Sequence, residues 1–275
     1  MKIKEIPISI FHSLRLLSLS SKKLEKKQRE EVPIVISLTS IPSRLNIVHI
    51  VIRSLLNQDV RPKKIILWLN NDLIDHIPYK LKKLEGNTFE IGFSELTCSH
   101  RKLVHALETF PKEIIVTCDD DLIYTSSWLR RLYQEHKKNG TSIIANQTRY
   151  ISYDEQGTLL PYRQWVYDNK TVFNKDAVLP IGAGGVLYPV NSLFTMVCDR
   201  ELFLKLTPKA DDLWFKAMSF LQGTTSITSK NIKGKPVPIL GSQWESLKKS
   251  NVDQDKNRVQ WNLVAQHFDI DLYKN

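Results

Sequence analysis

Short apolar runs alternate with helix-spaced apolar positions through the first half of the chain. The runs at 32–40, 63–70 and 113–119 are rich in Val and Ile, which is typical of buried strands. The segments 43–58 and 100–110 instead carry apolar residues three and four positions apart, the spacing of a helix that buries one face. Strands that alternate with amphipathic helices predict an α/β fold with a mainly parallel sheet.

The second half of the chain, from about residue 146, has a different texture. It is richer in aromatic and glycine-containing stretches, and two further helices are predicted at 211–222 and 255–268. Asp211 is a favourable N-cap residue for the first of these helices. We therefore expect a more irregular second half that still contains packed helices.

Residues 1–31 form a basic leader with eight Lys or Arg residues and four Glu residues. Ile10, Leu14 and Leu17 fall at helical spacing, with Phe11 beside them. The pattern favours either a solvated helix that packs on the body or a weak anchor on an anionic membrane surface.

The charge and cysteine content narrow the function classes. The net charge of +10 favours anionic partners such as nucleic acid, an acidic membrane surface or a phosphorylated substrate. Three scattered cysteines are too few for a disulfide framework or a cysteine-rich zinc site.

The sequence shows no apolar run of about 18 residues, so we predict no membrane-spanning helix. We expect a cytoplasmic protein, peripheral on the inner face of the membrane if the leader is an anchor.

The third predicted strand runs directly into Asp119, Asp120 and Asp121. Ligands of parallel α/β sheets bind at the carboxyl ends of the strands. In an extended backbone Asp119 and Asp121 would share a face, opposite Asp120. Two such carboxylates can hold Mg²⁺ or Mn²⁺, whose remaining ligands are often substrate phosphates. The alternative is a structural strand end, where water and backbone amides satisfy the charges.

Five segments in chain order carry a resemblance to a known family. They are ISLTSIPSRL, RKLVHAL, IVTCDDDLIY, GAGGVLYP and KADDLWF. Together they resemble bacterial glycosyltransferases of the glycosyltransferase-A fold, near the family 2 and exostosin-like groups, over roughly 33–222. The resemblance implies a Rossmann-like, mainly parallel central sheet flanked by helices. It also implies one catalytic domain over 32–275, with a nucleotide-binding half at 32–145 and an acceptor half at 146–275.

The resemblance further implies metal-dependent transfer of a sugar from a nucleoside-diphosphate donor, expected to be UDP-linked. The acceptor would be a hydroxyl of a glycan or lipid-linked glycan, in cell-surface polysaccharide or lipopolysaccharide synthesis. Asp121 is expected to bind the Mn²⁺ or Mg²⁺ ion directly, and Asp119 to share it and contact the ribose. One alternative is a nucleotidyltransferase that uses the same aspartates for a magnesium nucleotide. Another is a basic nucleic-acid-binding protein, which the dispersed positive charges disfavour.

The resemblance also assigns residues around the donor and the reacting hydroxyl. The donor-site residues implied are Thr39, Ser40, Arg44, Asn70, Lys102, Asp119, Asp120, Gly184, Gly185 and Tyr188. Asn70 stands where the family often has an acidic residue, and Asp72 is the alternative. Asp212 is the expected base that deprotonates the acceptor hydroxyl, with Asp211 as the alternative. Inversion or retention at the sugar is left open.

Overall fold

The computed structural model of the chain describes residues 3–26, 28–167, 174–230, 235–242 and 253–273. Its strands are β1 (Glu31–Thr39), β2 (Arg61–Asn70), β3 (Phe89–Ser94), β4 (Ile114–Thr117), β5 (Leu122–Ile123), β6 (Ile143–Ala145), β7 (Thr148–Tyr150), β8 (Val178–Pro180), β9 (Val186–Tyr188), β10 (Ser226–Thr228) and β11 (Val237–Pro238). Its helices are α1 (Ile6–Leu17), α2 (Ser21–Lys26), α3 (Val48–Leu56), α4 (Tyr79–Lys82), α5 (Arg101–Thr109), α6 (Trp128–Asn139), α7 (Arg200–Leu206), α8 (Asp211–Leu221) and α9 (Lys256–His267).

The central sheet has seven strands in the order β10-β6-β9-β4-β1-β2-β3. β1 is parallel to β2 and to β4, and β2 is parallel to β3. β9 is antiparallel to both of its neighbours, β4 and β6. The predicted mainly parallel α/β sheet is therefore confirmed, with one short reversed strand inside it.

Helices cover both faces of the sheet, which explains the nearly continuous apolar sequence of β1. Ile34 and Ile36 point into one hydrophobic cluster, which also contains residues of α3 and α6. Val35 points into a second cluster on the opposite face, with residues of α5 and α8. All three side chains are 0% exposed. Because side chains alternate along a strand, β1 joins the two layers of the core.

Two details at the carboxyl edge of the sheet differ from the sequence prediction. β4 ends at Thr117, so the three aspartates lie in the turn after the strand and the expected alternation of an extended backbone does not apply to them. Ala210, not Asp211, is the N-cap residue of α8. Asp211 is instead the first residue of the helix, and its side chain points into the cluster of charges described below.

The basic leader contains α1 and α2, and its residues 1, 2 and 27 lie outside the described part of the chain. α1 contacts α3, β5 and β11. Within the described residues, no helix combines the length and the apolar character needed to cross a membrane.

Candidate active site

A cavity of about 910 Å³ opens at the carboxyl edge of the sheet, beside the ends of β1 and β4. The first turns of α5 and α8 close its other sides. The predicted site residues that line it are Thr39, Ser40, Arg44, Lys102, Asp119, Asp120, Asp121, Asp211 and Asp212. This volume is within the range of about 300–1,000 Å³ that small-molecule sites occupy.

Arg44 organises one side of the cavity. Its Nη1 lies 2.5 Å from Asp120 Oδ1 and its Nη2 lies 3.3 Å from Asp121 Oδ2. Its Nε donates to the Ser242 carbonyl at 3.1 Å. The second oxygen of Asp120 accepts a hydrogen bond from Ser40 Oγ at 2.5 Å. Asp120 is therefore held inside the protein, whereas Asp121 keeps a longer contact at the cavity wall.

Lys102 organises the opposite side. Its Nζ lies 3.2 Å from Asp119 Oδ1 and 3.0 Å from Asp211 Oδ2. Asp211 also accepts a hydrogen bond from Ser99 Oγ at 2.8 Å. Burial by itself would lower the pKa of Lys102, but the surrounding carboxylates outweigh it and raise that pKa well above its usual value. Burial by itself would raise the pKa of Asp211, but the positive charge of Lys102 outweighs this effect. The pKa of Asp211 is therefore lowered.

Asp212 has a different environment from Asp211. Its two oxygens accept from the Gly182 amide at 3.2 and 3.3 Å. Burial and the neighbouring charge of Asp211 raise the pKa of Asp212 above the ordinary value of an aspartate. A half-buried carboxylate that faces a cavity and has a raised pKa is, once ionised, a stronger base toward a bound hydroxyl than an ordinary aspartate.

Gly182 lies against three charged side chains of the cavity: Lys102, Asp119 and Asp212. A Cβ atom at this position would lie 3.0 Å from Lys102 Nζ, 3.2 Å from Asp212 Oδ1 and 3.5 Å from Asp119 Oδ1. A larger residue would therefore crowd the charged groups of the cavity. The glycine run is visible in the sequence, but only Gly184 and Gly185 of that run were predicted as site residues, and Gly182 was missed.

Arg101 and Tyr124 were also missed, and both are buried beside the site. Arg101 donates from Nε to Thr39 Oγ1 and from Nη2 to the Ser40 carbonyl, the latter at 2.5 Å. Tyr124 Oη accepts from the Asp119 amide at 2.9 Å. These contacts hold the ends of β1 and β4 in place. The only sequence signal was position: Arg101 directly precedes Lys102, and Tyr124 closes the segment that contains the aspartates.

Asn70 lies outside the cavity lining, as far as the described residues show. Its side-chain carbonyl accepts from the Asp72 amide at 2.9 Å, and its amide donates to the Ser94 carbonyl at 3.4 Å and the Glu95 carbonyl at 3.3 Å. In this structure Asn70 begins a short turn and connects the ends of β2 and β3.

Gly184, Gly185 and Tyr188 are likewise not among the described residues that line the cavity. The Gly184 carbonyl accepts from Trp128 Nε1 at 2.9 Å, and the same indole packs on Gly185. Tyr188 is 2% exposed on β9, where it pairs with Ile115. These three residues support the wall behind the cavity.

Asp119 and Asp121 are the two carboxylates that the sequence predicts as ligands of a metal ion. Among the described residues, no group of three His, Cys, Asp or Glu side chains is arranged to hold a metal. Magnesium is often bound by only one or two carboxylates together with substrate phosphates. Asp119 contacts Lys102 and Asp121 contacts Arg44, so an ion that arrived with a diphosphate would compete with these two cations for the carboxylate oxygens.

The family model described as Glycosyl transferase family 2 matches residues 43–201, more than half of the chain. The chain belongs to this family. The resemblance expected from the sequence is thereby confirmed, together with the glycosyltransferase-A type of fold. The match includes Arg44, Lys102 and the three aspartates of the cavity, and it ends before Asp211. No curated protein matches this glycosyltransferase.

One similar solved structure is titled 4-diphosphocytidyl-2C-methyl-D-erythritol synthase, from Anaerococcus prevotii. It is 12% identical to this glycosyltransferase, with a TM-score of 0.46, over 86% of this chain and 98% of that chain. Identity this low gives no basis for transferring a reaction from one protein to the other.

Proposed function

We propose that this glycosyltransferase moves a sugar from a nucleoside-diphosphate donor, UDP-linked, to a hydroxyl of a glycan or lipid-linked glycan. The products would belong to cell-surface polysaccharide or lipopolysaccharide. One observation carries the proposal: a single cavity collects the carboxylates of Asp119 and Asp121, two cationic side chains and a separate carboxylate with a raised pKa. Those are the groups that departure of a diphosphate and deprotonation of a hydroxyl require.

The donor diphosphate would lie between Arg44 and Lys102. Asp119 and Asp121 would hold Mn²⁺ or Mg²⁺, which when bound supplies positive charge to the departing diphosphate. Arg44 presents a planar fork that suits phosphate oxygens, and it is already directed toward Asp121 by the contact at 3.3 Å. Thr39 and Ser40 would border the nucleotide at the end of β1.

Asp212 would act as the base. It would take the proton of the acceptor hydroxyl as that oxygen bonds to the anomeric carbon, while the bond from that carbon to the diphosphate oxygen breaks. Asp211 is unsuited to this role because it forms an ion pair with Lys102 at 3.0 Å and is 8% exposed. A single displacement of this kind inverts the anomeric centre.

Incubation of the protein with a panel of nucleotide sugars and Mn²⁺ tests the proposal. Asp121→Asn and Asp212→Asn should each lower turnover by at least about 100-fold, since general-base catalysis alone contributes about 10²–10⁴-fold. Asp75→Asn is the matched control, because Asp75 is exposed and does not line the cavity. It should retain the activity of the unmodified protein.

Product analysis separates the proposal from its alternative. A free nucleoside diphosphate and a glycosylated acceptor support sugar transfer, whereas pyrophosphate and a nucleotidylated product would identify a nucleotidyltransferase. Full metal-dependent turnover by Asp121→Asn would refute the metal assignment. Full turnover by Asp212→Asn would refute the base.

A further inference from the structure

Helix α1 packs on the body with its more polar side and turns its apolar side to solvent. Ser9 is 0% exposed, and its hydroxyl accepts from the Leu240 amide at 3.0 Å. Leu16 is also buried, at 6%. Phe11 and Leu14, in contrast, are each 62% exposed. This is the reverse of an ordinary surface helix, whose apolar stripe faces the core.

Exposed apolar side chains on α1 and on the short 3-10 helix before it fall at helical spacing, and we call them the α1 patch. Its members are Ile3, Ile8, Ile10, Phe11, Leu14 and Leu17. Leu240, 47% exposed, donates its amide to Ser9 and so lies against the inner side of α1, apart from the α1 patch. The stripe predicted from the sequence therefore faces outward, and exposed apolar side chains grouped in this way are typical of an interaction site.

Basic side chains accompany the α1 patch. The exposed ones are Lys4, Arg15, Lys22 and Lys23. Lys4 and Arg15 fall at helical spacing with Phe11, so charge and apolar surface share one side of the helix. Of the nearby acidic residues, Glu25 accepts a hydrogen bond from the Asn87 amide at 3.1 Å. A short helix with exposed apolar side chains and flanking Lys and Arg fits the interface of an anionic membrane.

One short segment, 239–242, connects the inner side of α1 to the active-site cavity. The Leu240 amide bonds to α1, and the adjacent Ile239 amide donates to the Asp121 carbonyl at 2.9 Å. The Ser242 carbonyl accepts from Arg44 Nε at 3.1 Å. The segment that contacts α1 therefore also contacts Asp121 and Arg44 at the edge of the cavity.

We propose that the α1 patch docks on an anionic membrane, with its apolar side chains in the interface and its basic side chains against lipid phosphates. This docking would hold the cavity beside lipid-linked acceptors. The statement about acceptors rests on the proposed function, whereas the docking itself does not.

A second copy of the chain fits the α1 patch less well than a membrane does. α1 has 12 residues and is about 18 Å long. One face of so short a helix falls below the area of about 800 Å² per partner that a stable interface buries. A two-fold contact would also bring the Lys and Arg residues of both copies together, at a cost in electrostatic repulsion.

Cosedimentation with vesicles tests the docking. The unmodified protein should bind phosphatidylglycerol-containing vesicles more tightly than pure phosphatidylcholine vesicles, and salt should weaken the binding. Phe11→Ser/Leu14→Ser should lower the partition coefficient by at least about tenfold, because two large apolar side chains leave the interface. Val259→Ser/Leu263→Ser is the matched control, since these residues are 54% and 42% exposed on α9, and it should bind as the unmodified protein does.

Several outcomes would overturn the proposal: no sedimentation of the unmodified protein, equal binding to both vesicle types, or equal binding by both double variants. A dimer in light scattering that Phe11→Ser/Leu14→Ser converts to monomer, without vesicle binding, would assign the α1 patch to a second copy. Donor hydrolysis without vesicles reports on the proposed function alone. Vesicle binding by a protein that consumes no nucleotide sugar would leave the docking standing and reject the proposed function.

Discussion

At the scale of single residues, three adjacent aspartates have three different environments. The Asp119 carboxylate lies 3.2 Å from Lys102. Asp120 is 5% exposed and lies 2.5 Å from Arg44, whereas Asp121 is 3.3 Å from the same guanidinium. Burial raises the pKa of Asp120 against the opposing effect of Arg44. Identical side chains thus have different environments because their partners come from other parts of the chain.

Asp120→Ala should destabilise the protein more than Asp121→Ala. Loss of Asp120 leaves Arg44 and Ser40 without their buried acceptor, and breaking a buried ion pair costs about 3–5 kcal/mol. Asp121→Ala removes a longer and more exposed contact, which should change the free energy of unfolding by about 0–1 kcal/mol. Urea denaturation of the two variants measures the difference. Equal losses would show that burial of Asp120 adds nothing to stability.

The sequence predicted where these aspartates lie along the chain but not what they contact. The prediction of an extended strand through residue 119 placed Asp119 and Asp121 on one face. Because β4 ends earlier, the turn directs Asp120 and Asp121 to Arg44 instead. Arg44 and Asp120 are 76 positions apart, and no local pattern encodes a pairing over that separation.

At the scale of elements, strong hydrophobic periodicity made β1, β2 and α5 predictable. β3 was missed because four of its six residues are only half-buried and Gly92 interrupts its apolar pattern at the edge of the sheet. β9 was missed for another reason. It has three residues and follows a glycine run, and its antiparallel pairing depends on strands far away in sequence.

The glycine before β9 offers a test of how this element is held. Gly185 has φ +94°, and a Cβ there would lie 2.4 Å from Trp128 Cζ2. Gly185→Ala should therefore combine backbone strain of about 1–3 kcal/mol with a clash against a buried ring. Gly140→Ala is the matched control, because Gly140 has φ +53° and nothing within 4 Å of the added atom.

We expect Gly185→Ala to lower the melting temperature by more than Gly140→Ala does. In Gly140→Ala the only destabilising effect is backbone strain at a positive φ. Thermal unfolding followed by circular dichroism measures both. A similar decrease in the two variants would mean that Trp128 moves aside, and that the packing behind the cavity is looser than this structure indicates.

At the scale of the whole molecule, the cavity brings together charged residues from the two halves of the chain. Lys102 lies in the first turn of α5 in the first half, and Asp211 begins α8 in the second half. The sequence predicted both residues as site residues, and the family resemblance supplied their order. The ion pair between Lys102 and Asp211 was not predicted, since it joins two helices that only the packed sheet brings together. The net charge of +10 gave no indication of this internal cluster.

Lys102→Met should destabilise the whole protein, because Asp211 then keeps a buried negative charge without its cation. The loss should be about 3–5 kcal/mol in the free energy of unfolding. Asp211→Asn in the same chain removes that charge and should restore part of the loss, with a coupling energy of about 1–3 kcal/mol in a double-mutant cycle. Lys205→Met, on the exposed side of α7, controls for loss of a lysine.

The pH dependence of the Lys102→Met deficit identifies the charge as its cause. In the unmodified protein the pKa of Asp211 is lowered, so its contribution to stability is lost as the pH falls. Without Lys102, burial raises the pKa of Asp211, so protonation in acid relieves the unpaired charge. The difference between the two proteins should therefore shrink as the pH is lowered in urea denaturation. Additive losses in the cycle, or a deficit that grows in acid, would show that Lys102 and Asp211 act independently.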